Sequence, residues 1–179
     1  AARRIYSFLP RCTDTDGRMF FTVTREGQEI QKRRYFFSET FAAIGCAQYY
    51  KATGDEEAWT RAEEYFNTAK ACFDDPSLNP PKYKLSAKAL SPIMIMMSTA
   101  RSMAECAPDK EKYSILAREY AKEVIRGGYF NEEVGALLEN VSLDGSFINT
   151  PSGRVVNPGH SLETAWFLMA EGLIEKNDE

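Results

Sequence analysis

The sequence predicts an all-α fold in which the helices form two concentric layers. Nearly apolar helices alternate along the chain with amphipathic helices that carry charges on one side. A helix that is apolar all round has to be covered on several sides, whereas an amphipathic helix keeps one face in water. The alternation is therefore typical of an α/α toroid or an array of helical repeats, with the apolar helices inside.

Five segments carry these helical patterns. The apolar inner helices are predicted at residues 36–51, 85–106 and 161–174, and the amphipathic outer helices at residues 56–73 and 110–126. A tetratricopeptide-type solenoid would repeat about every 34 residues. The inner helices begin at positions 36, 85 and 161, so their spacing is longer and less even than that. The sequence therefore favours the layered toroid over the solenoid.

Long connections precede the inner helices. A predicted β-hairpin, formed by residues 19–24 and 28–32, comes before the first inner helix. Loops of residues 74–84 and 127–160 come before the second and the third. Long structured loops in compact domains usually carry function. We therefore expect the hairpin and both loops to share one end of the helical layers and to hold the active site there.

The composition is that of a folded globular domain with an acidic balance of charge. Of the 179 residues, 44% are hydrophobic and 27% are charged, and the formal net charge is −4. Binding to nucleic acid or to an anionic membrane needs a surplus of Lys and Arg, so neither partner is expected. No apolar run is long enough to span a bilayer, and no secretion signal is recognisable. The four cysteines lack metal-binding spacing, which favours free thiols in a reducing cytoplasm over disulfides.

The sharpest local signal is the run Asn-Pro-Gly-His-Ser-Leu-Glu at residues 157–163. Asn157 is a good N-cap and Pro158 suits the first helical position, which places His160 in the first turn. The positive end of a helix disfavours imidazolium and keeps the ring able to accept a proton. Glu163 follows on the same face, where it could orient the imidazole or contact a polar ligand. His160 is the single histidine of the chain and ends the longest loop, which favours catalysis over the commoner structural role.

Four further residues are candidates for the same site, each with a second interpretation. Glu139 and Asn140 place a carboxylate and an amide in the long loop, or belong to a short buried strand that leads to a turn at Asp144. Glu39 begins the first inner helix, where it could reach a pocket or simply favour the helix dipole. Trp166 packs either against a sugar or into the core. The residues alone leave these alternatives open.

Several stretches resemble the N-acylglucosamine 2-epimerase (renin-binding protein) family. They are residues 20–27, 34–41, 91–96, 135–145 and 153–168, the last reading GRVVNPGHSLETAWFL. The resemblance implies an (α/α)6 barrel that interconverts sugars epimeric at carbon 2. In that chemistry the ring opens, a base removes the proton alpha to the carbonyl, and an enediolate is reprotonated on the opposite face. Two acid–base groups and an electrophile for the oxyanion are needed.

The resemblance assigns His160 as a catalytic residue and Glu163 as a pocket residue on the same helix. With them we group Glu39, Glu139 and Trp166 as substrate-binding residues. The family's second catalytic histidine and its active-site arginine have no match here, and Arg34 occupies a different family position. Three inner helices are visible where six close the barrel. We therefore expect residues 1–179 to be one partial domain, about half of an (α/α)6 barrel with a small β-hairpin, and to be inactive alone.

The resulting expectation is a cytoplasmic isomerase that interconverts N-acylglucosamine and N-acylmannosamine without a metal or redox cofactor. A nucleotide effector and a homodimer are left open. An aldose–ketose isomerase or a cellobiose 2-epimerase of the same superfamily is the close alternative, and a non-catalytic helical binding domain is the alternative from another class. Half a barrel should also leave the apolar side chains of Phe41, Ile93, Ile95 and Phe167 without neighbours.

Overall fold

The computed structural model describes residues 1–31, 35–79 and 86–176. These residues are mostly helical, as the sequence predicts. The helices are α1 (Ala2–Phe8), α2 (Phe37–Thr53), α3 (Glu56–Asp74), α4 (Leu90–Cys106), α5 (Glu111–Arg126) and α6 (Pro158–Glu175). Among the described residues, no helix combines the length and the apolar character needed to cross a membrane.

Within residues 1–31, 35–79 and 86–176, six short strands form three antiparallel pairs. Strands β1 (Thr22–Val23) and β2 (Glu29–Gln31) make the predicted hairpin. Strand β3 (Lys88–Ala89) pairs with β6 (Asn140–Val141), and β4 (Phe130–Asn131) pairs with β5 (Ala136–Leu137). The last two pairs organise most of the long loop that precedes α6.

Two compact units divide the described residues. The first holds residues 1–31, 35–79 and 102–110, and the second holds residues 86–101 and 111–176. The expectation that the hairpin and the two long loops share one end of the helical layers stays a prediction. Residues 32–34, 80–85 and 177–179, which include Arg34 and the predicted start of the second inner helix, lie outside the described residues.

The first unit is built on the packing of α2 against α3. Gly54, with a φ of +72°, ends α2 in the left-handed conformation, and the side chain of Asp55 then accepts a hydrogen bond from the Glu57 amide of α3. Small side chains fill the buried faces and let two helices approach closely. The fully buried ones on these helices include Ala43, Cys46, Ala47, Ala58, Ala62 and Ala69.

The second unit contains most of α4, together with α5, α6 and the strands between them. Its α4 segment is buried on nearly all sides, as its apolar sequence requires. Helix α5 is amphipathic and packs against α6. The unit therefore combines one enclosed helix with two that keep a face in water.

Two helices begin several residues away from the start of their predicted apolar segments. Helix α4 begins at Leu90 instead of residue 85, because Lys88 and Ala89 pair with β6 and the Leu90 amide donates to the Glu139 carbonyl (3.0 Å). The apolar segment of the third inner helix begins at residue 161, but α6 itself begins at Pro158, the first helical position that the cap at Asn157 predicts. Helix α1 was not predicted, because it is too short to show a helical period.

The prediction that four apolar side chains are exposed is only partly confirmed. Phe41 is 62% exposed, as expected, and Phe167 is half-buried. The expectation for Ile93 and Ile95 is wrong: both are buried, because a helix that is apolar all round is covered on all sides within the described chain. An exposed apolar stripe instead runs along α6, formed by Leu162, Trp166, Met169 and Leu173.

Candidate active site

The start of α6 positions His160, as the sequence predicts. The Oδ1 atom of Asn157 accepts hydrogen bonds from the amides of Gly159 (3.0 Å) and His160 (3.4 Å). The Asn157 carbonyl accepts the first helical bond, from the Ser161 amide (2.9 Å). The side chain and the backbone of the cap thus satisfy amides that a helix start leaves without partners. His160 is fixed in the first turn.

The segment after β5 positions Glu139. Its amide donates to the Val155 carbonyl (3.0 Å), and its own carbonyl accepts from the Leu90 amide (3.0 Å). Its neighbour Leu138 is buried and donates to the Tyr129 carbonyl (2.7 Å). Both backbone groups of Glu139 are therefore held by other segments, so the start of its side chain is fixed.

These two elements bring His160 and Glu139 together. The Nδ1 atom of the imidazole lies 2.8 Å from Oε1 of the carboxylate, which is hydrogen-bonding distance. The His160 side chain is 32% exposed and the Glu139 side chain is 15% exposed. The pair can therefore be reached from solvent through the imidazole more easily than through the carboxylate.

Glu163 and Trp166 continue along α6 from His160. Both side chains are exposed, and the Trp166 ring lies tilted against Phe167 with 5.1 Å between ring centroids. The imidazole forms its hydrogen bond with Glu139, so Glu139 and not Glu163 holds the ring. Substrate contacts by Glu163 and Trp166 stay predictions.

Glu39 lies in the first unit and is fully buried. Its Oε1 atom accepts from the Arg18 Nε (2.7 Å) and from the Met19 amide (3.0 Å). The other guanidinium nitrogens of Arg18 donate to the carbonyls of Leu78 (3.1 Å) and Tyr35 (3.2 Å). The structure thus gives Glu39 a structural ion pair that joins three segments of the unit. A substrate contact by Glu39 stays a prediction.

A buried ion pair that was not predicted anchors the C-terminal part of α6. Arg101 on α4 binds Glu171 through both ends of its guanidinium, with Nε 2.7 Å from Oε2. Both side chains are largely buried. A buried carboxylate requires a cation or hydrogen-bond donors as partners, but Glu163 on the same helix is exposed, so the sequence alone does not show which glutamate is buried.

The turn at Asp144 closes the loop after β6, which confirms the interpretation of this stretch as a short strand followed by a turn. The Asp144 carboxylate accepts hydrogen bonds from the Ser142 hydroxyl and from the Ser146 amide (2.9 Å), and these bonds lower the pKa of Asp144 to about 2. Gly145 adopts a φ of +87° at the corner. The turn orders the loop without contributing to the His160 pair.

Burial raises the pKa of Tyr129 to about 12, and its hydroxyl donates to the Ala89 carbonyl (3.3 Å), so this phenol is structural.

A groove of about 430 Å³ lies between α5 and α6. It is lined by residues that include Arg118, Ile125, Met169 and Leu173 but none of the predicted site residues. The described residues contain no cluster of three or more His, Cys, Asp or Glu side chains placed to hold a metal ion.

Comparison with known proteins gives a consistent set of relatives. The chain is 30% identical to the N-acylglucosamine 2-epimerase of Bos taurus over 160 residues, which are 83% of this chain and 36% of that protein. It is 30% identical to the N-acylglucosamine 2-epimerase of Homo sapiens over 166 residues, 88% of this chain and 38% of that protein. The chain thus spans less than two fifths of the length of these curated relatives.

Comparison with solved structures supports the same fold. The crystal structure of a sugar epimerase from a ruminal bacterium superposes on this chain with a TM-score of 0.75 at 17% sequence identity. The match covers 98% of this chain and 48% of the epimerase chain. The predicted fold class, an all-α part of an α/α barrel, is confirmed. The family model described as N-acylglucosamine 2-epimerase (GlcNAc 2-epimerase) matches residues 2–179. The chain therefore belongs to the N-acylglucosamine 2-epimerase family.

Proposed function

We propose that the complete protein is an isomerase that interconverts N-acylglucosamine and N-acylmannosamine, with His160 as one of its two acid–base groups. The observation that carries this proposal is the His160–Glu139 pair, a partly exposed imidazole held by a carboxylate at a helix start in a chain of this family. The named activity of the curated relatives supports the reaction class.

The chemistry sets the requirements for the site. In the ring-opened sugar, the hydrogen on carbon 2 is acidic because it lies alpha to the carbonyl. A base on one face removes it, an enediolate forms, and an acid on the other face returns a proton. A positioned acid–base group contributes roughly 10²–10⁴-fold to such a step. His160 serves one face, and since this chain has one histidine, we place the second base outside it.

Glu163 and Trp166 supply substrate contacts in this proposal. Glu163 follows His160 by three residues on the same face of α6, so its exposed carboxylate can accept hydrogen bonds from sugar hydroxyls. The Trp166 ring is 63% exposed and offers an apolar surface with room for a sugar face.

We further propose that the protein works in the cytoplasm, acts on a small sugar and does not bind nucleic acid. The four cysteines are free and buried, which suits a reducing compartment, and the net charge is −4. Proton transfer at carbon 2 uses side-chain acids and bases, so we propose no metal or redox cofactor. A nucleotide effector and a homodimer stay predictions.

Solvent exchange at carbon 2 tests the function directly. We expect the complete protein to replace the carbon-2 proton of N-acetylglucosamine by deuterium in D₂O and to form N-acetylmannosamine, both followed by proton NMR. The variant His160→Asn keeps the size and polarity of the side chain but lacks the base. We expect it to remain folded by circular dichroism and to lose at least 10²-fold in exchange rate.

Parallel assays separate the alternatives. Exchange or conversion of cellobiose or mannose, with N-acetylglucosamine untouched, would favour the cellobiose 2-epimerase or the aldose–ketose isomerase. No exchange into any of these sugars would favour a non-catalytic helical binding domain. An active His160→Asn variant would remove His160 as a base. We expect the 179-residue chain by itself to be inactive, because we place the second base outside it.

A further inference from the structure

We propose that Glu139 is a positioning residue that fixes the tautomer of His160, with the proton on Nδ1 and Nε2 free to exchange a proton with carbon 2 of the sugar. This inference rests on the proposed function and assigns Glu139 a role different from the substrate contact that its sequence position suggested. It also names the nitrogen at which the proton transfer occurs.

The contact between the two side chains determines which nitrogen carries the proton. An ionised carboxylate can only accept hydrogen bonds. At 2.8 Å from Oε1, the Nδ1 atom must therefore be the donor. A neutral imidazole has one N–H and one lone pair, so protonation of Nδ1 leaves the lone pair on Nε2. The geometry thus selects Nε2 as the proton acceptor.

Glu139 is placed well enough to impose this choice. Its backbone is paired on both sides, with Val155 and with Leu90, and it lies between β5 and β6. Its carboxylate is mostly buried. A carboxylate held in this way loses little further conformational freedom when it binds the ring, so it can orient the imidazole before a substrate arrives.

The burial of Glu139 also argues against a mainly substrate-binding role. One of its oxygens is already occupied by His160, and the side chain is 15% exposed. The two roles have different consequences. A positioning residue changes the imidazole in the absence of sugar and mainly lowers kcat, whereas a substrate contact leaves the free imidazole unchanged and mainly raises KM.

The test uses the complete protein with ¹⁵N-labelled histidine and no sugar. Long-range proton–nitrogen spectra distinguish the two tautomers, and the His160 signals are those that disappear in His160→Asn. We expect the wild-type ring to be protonated mainly on Nδ1. In Glu139→Gln we expect the Nε2-protonated form to appear, because the neutral amide can donate to Nδ1 as well as accept from it.

Kinetics on the same variants complete the test. Glu139→Gln should lower kcat by roughly 10²–10⁴-fold with little change in KM, since the wrong tautomer cannot accept the proton; in serine hydrolase triads the corresponding loss is about 10⁴-fold. Glu139→Asp keeps a carboxylate and should retain the Nδ1 proton and part of the activity. Glu133→Gln makes the same chemical change at an exposed position next to β5 and should leave spectra and kcat unchanged.

Two results would overturn the positioning role. One is a wild-type ring protonated mainly on Nε2. The other is a Glu139→Gln variant whose tautomer is unchanged and whose loss lies in KM, which would return Glu139 to substrate binding. Because the spectra are recorded without sugar, these results differ from failure of the proposed function. A wild-type protein without carbon-2 exchange would overturn that function, and with it any part of Glu139 in the reaction.

Discussion

Replacing Arg18 by methionine should destabilise the protein by about 3–5 kcal/mol. Arg18 is largely buried and pairs with Glu39, whose side chain is completely buried. Methionine fills similar space but removes the bond to Glu39 and the two bonds to the carbonyls of Leu78 and Tyr35. The buried Glu39 carboxylate would then keep the hydrogen bond from the Met19 amide but would lose its positively charged partner. Removing one partner of a buried ion pair typically costs this much because the other charge is left uncompensated.

A double-mutant cycle separates the pair from its surroundings. Glu39→Gln keeps an acceptor for the Met19 amide but leaves the Arg18 guanidinium without its carboxylate. In the double variant Arg18→Met with Glu39→Gln, neither unpaired charge remains. The combined loss should therefore be smaller than the sum of the single losses by about 1–3 kcal/mol.

Urea unfolding followed by far-ultraviolet circular dichroism measures these losses as shifts in midpoint. The matched control is Lys70→Met, which breaks the exposed pair with Asp74 on the surface of α3. Exposed pairs one helical turn apart contribute about 0.3–0.5 kcal/mol. If Arg18→Met costs no more than Lys70→Met, the pair is not structural, and a substrate role for Glu39 becomes the better explanation of its position.

Other predictions use the same unfolding measurement or a dye. Asn157→Ala should cost about 0.5–2 kcal/mol, because it removes the acceptor of two amides at the start of α6, while Asn157→Asp should be nearly neutral. Gly128→Ala should cost well over the roughly 1 kcal/mol expected for Gly17→Ala, although both glycines have a positive φ. A Cβ at Gly128 would lie 1.9 Å from the Gly145 carbonyl oxygen, whereas a Cβ at Gly17 would have no heavy atom of the described residues within 4 Å. The 179-residue chain should bind a hydrophobic dye such as ANS, and the double change Leu162→Lys with Leu173→Lys should reduce that binding, because both leucines belong to the exposed stripe of α6. If the unchanged chain and the double variant bound the dye equally, the stripe of α6 would not be the site of dye binding.

Features set by neighbouring residues could be predicted from the sequence. Helices α2, α3 and α5 appear within a few residues of their predicted positions, because apolar periodicity and caps are local signals. The placement of His160 in the first turn of α6 follows from Asn157 and Pro158 in the same way. These predictions needed no knowledge of the rest of the fold.

Features set by distant segments could not be predicted. The start of α4 depends on the pairing of Lys88 and Ala89 with β6, about fifty residues later in the chain. The pair between Arg18 and Glu39 depends on how a loop folds back over the start of α2. In both cases the residue types were visible in the sequence, but their partners were chosen by long-range packing.

The His160–Glu139 pair combines the two kinds of information. The helix start that orients His160 is local, and it was predicted; the backbone pairing that presents Glu139 is long-range, and the sequence indicated the carboxylate without its partner. Because α6 is also anchored at Glu171 by Arg101, the ring and the carboxylate are held from different elements of one unit. A distance fixed from both sides costs little further ordering at the moment of proton transfer, which is what a positioned acid–base group requires. In the function that we propose, the sugar binds at the exposed part of the ring.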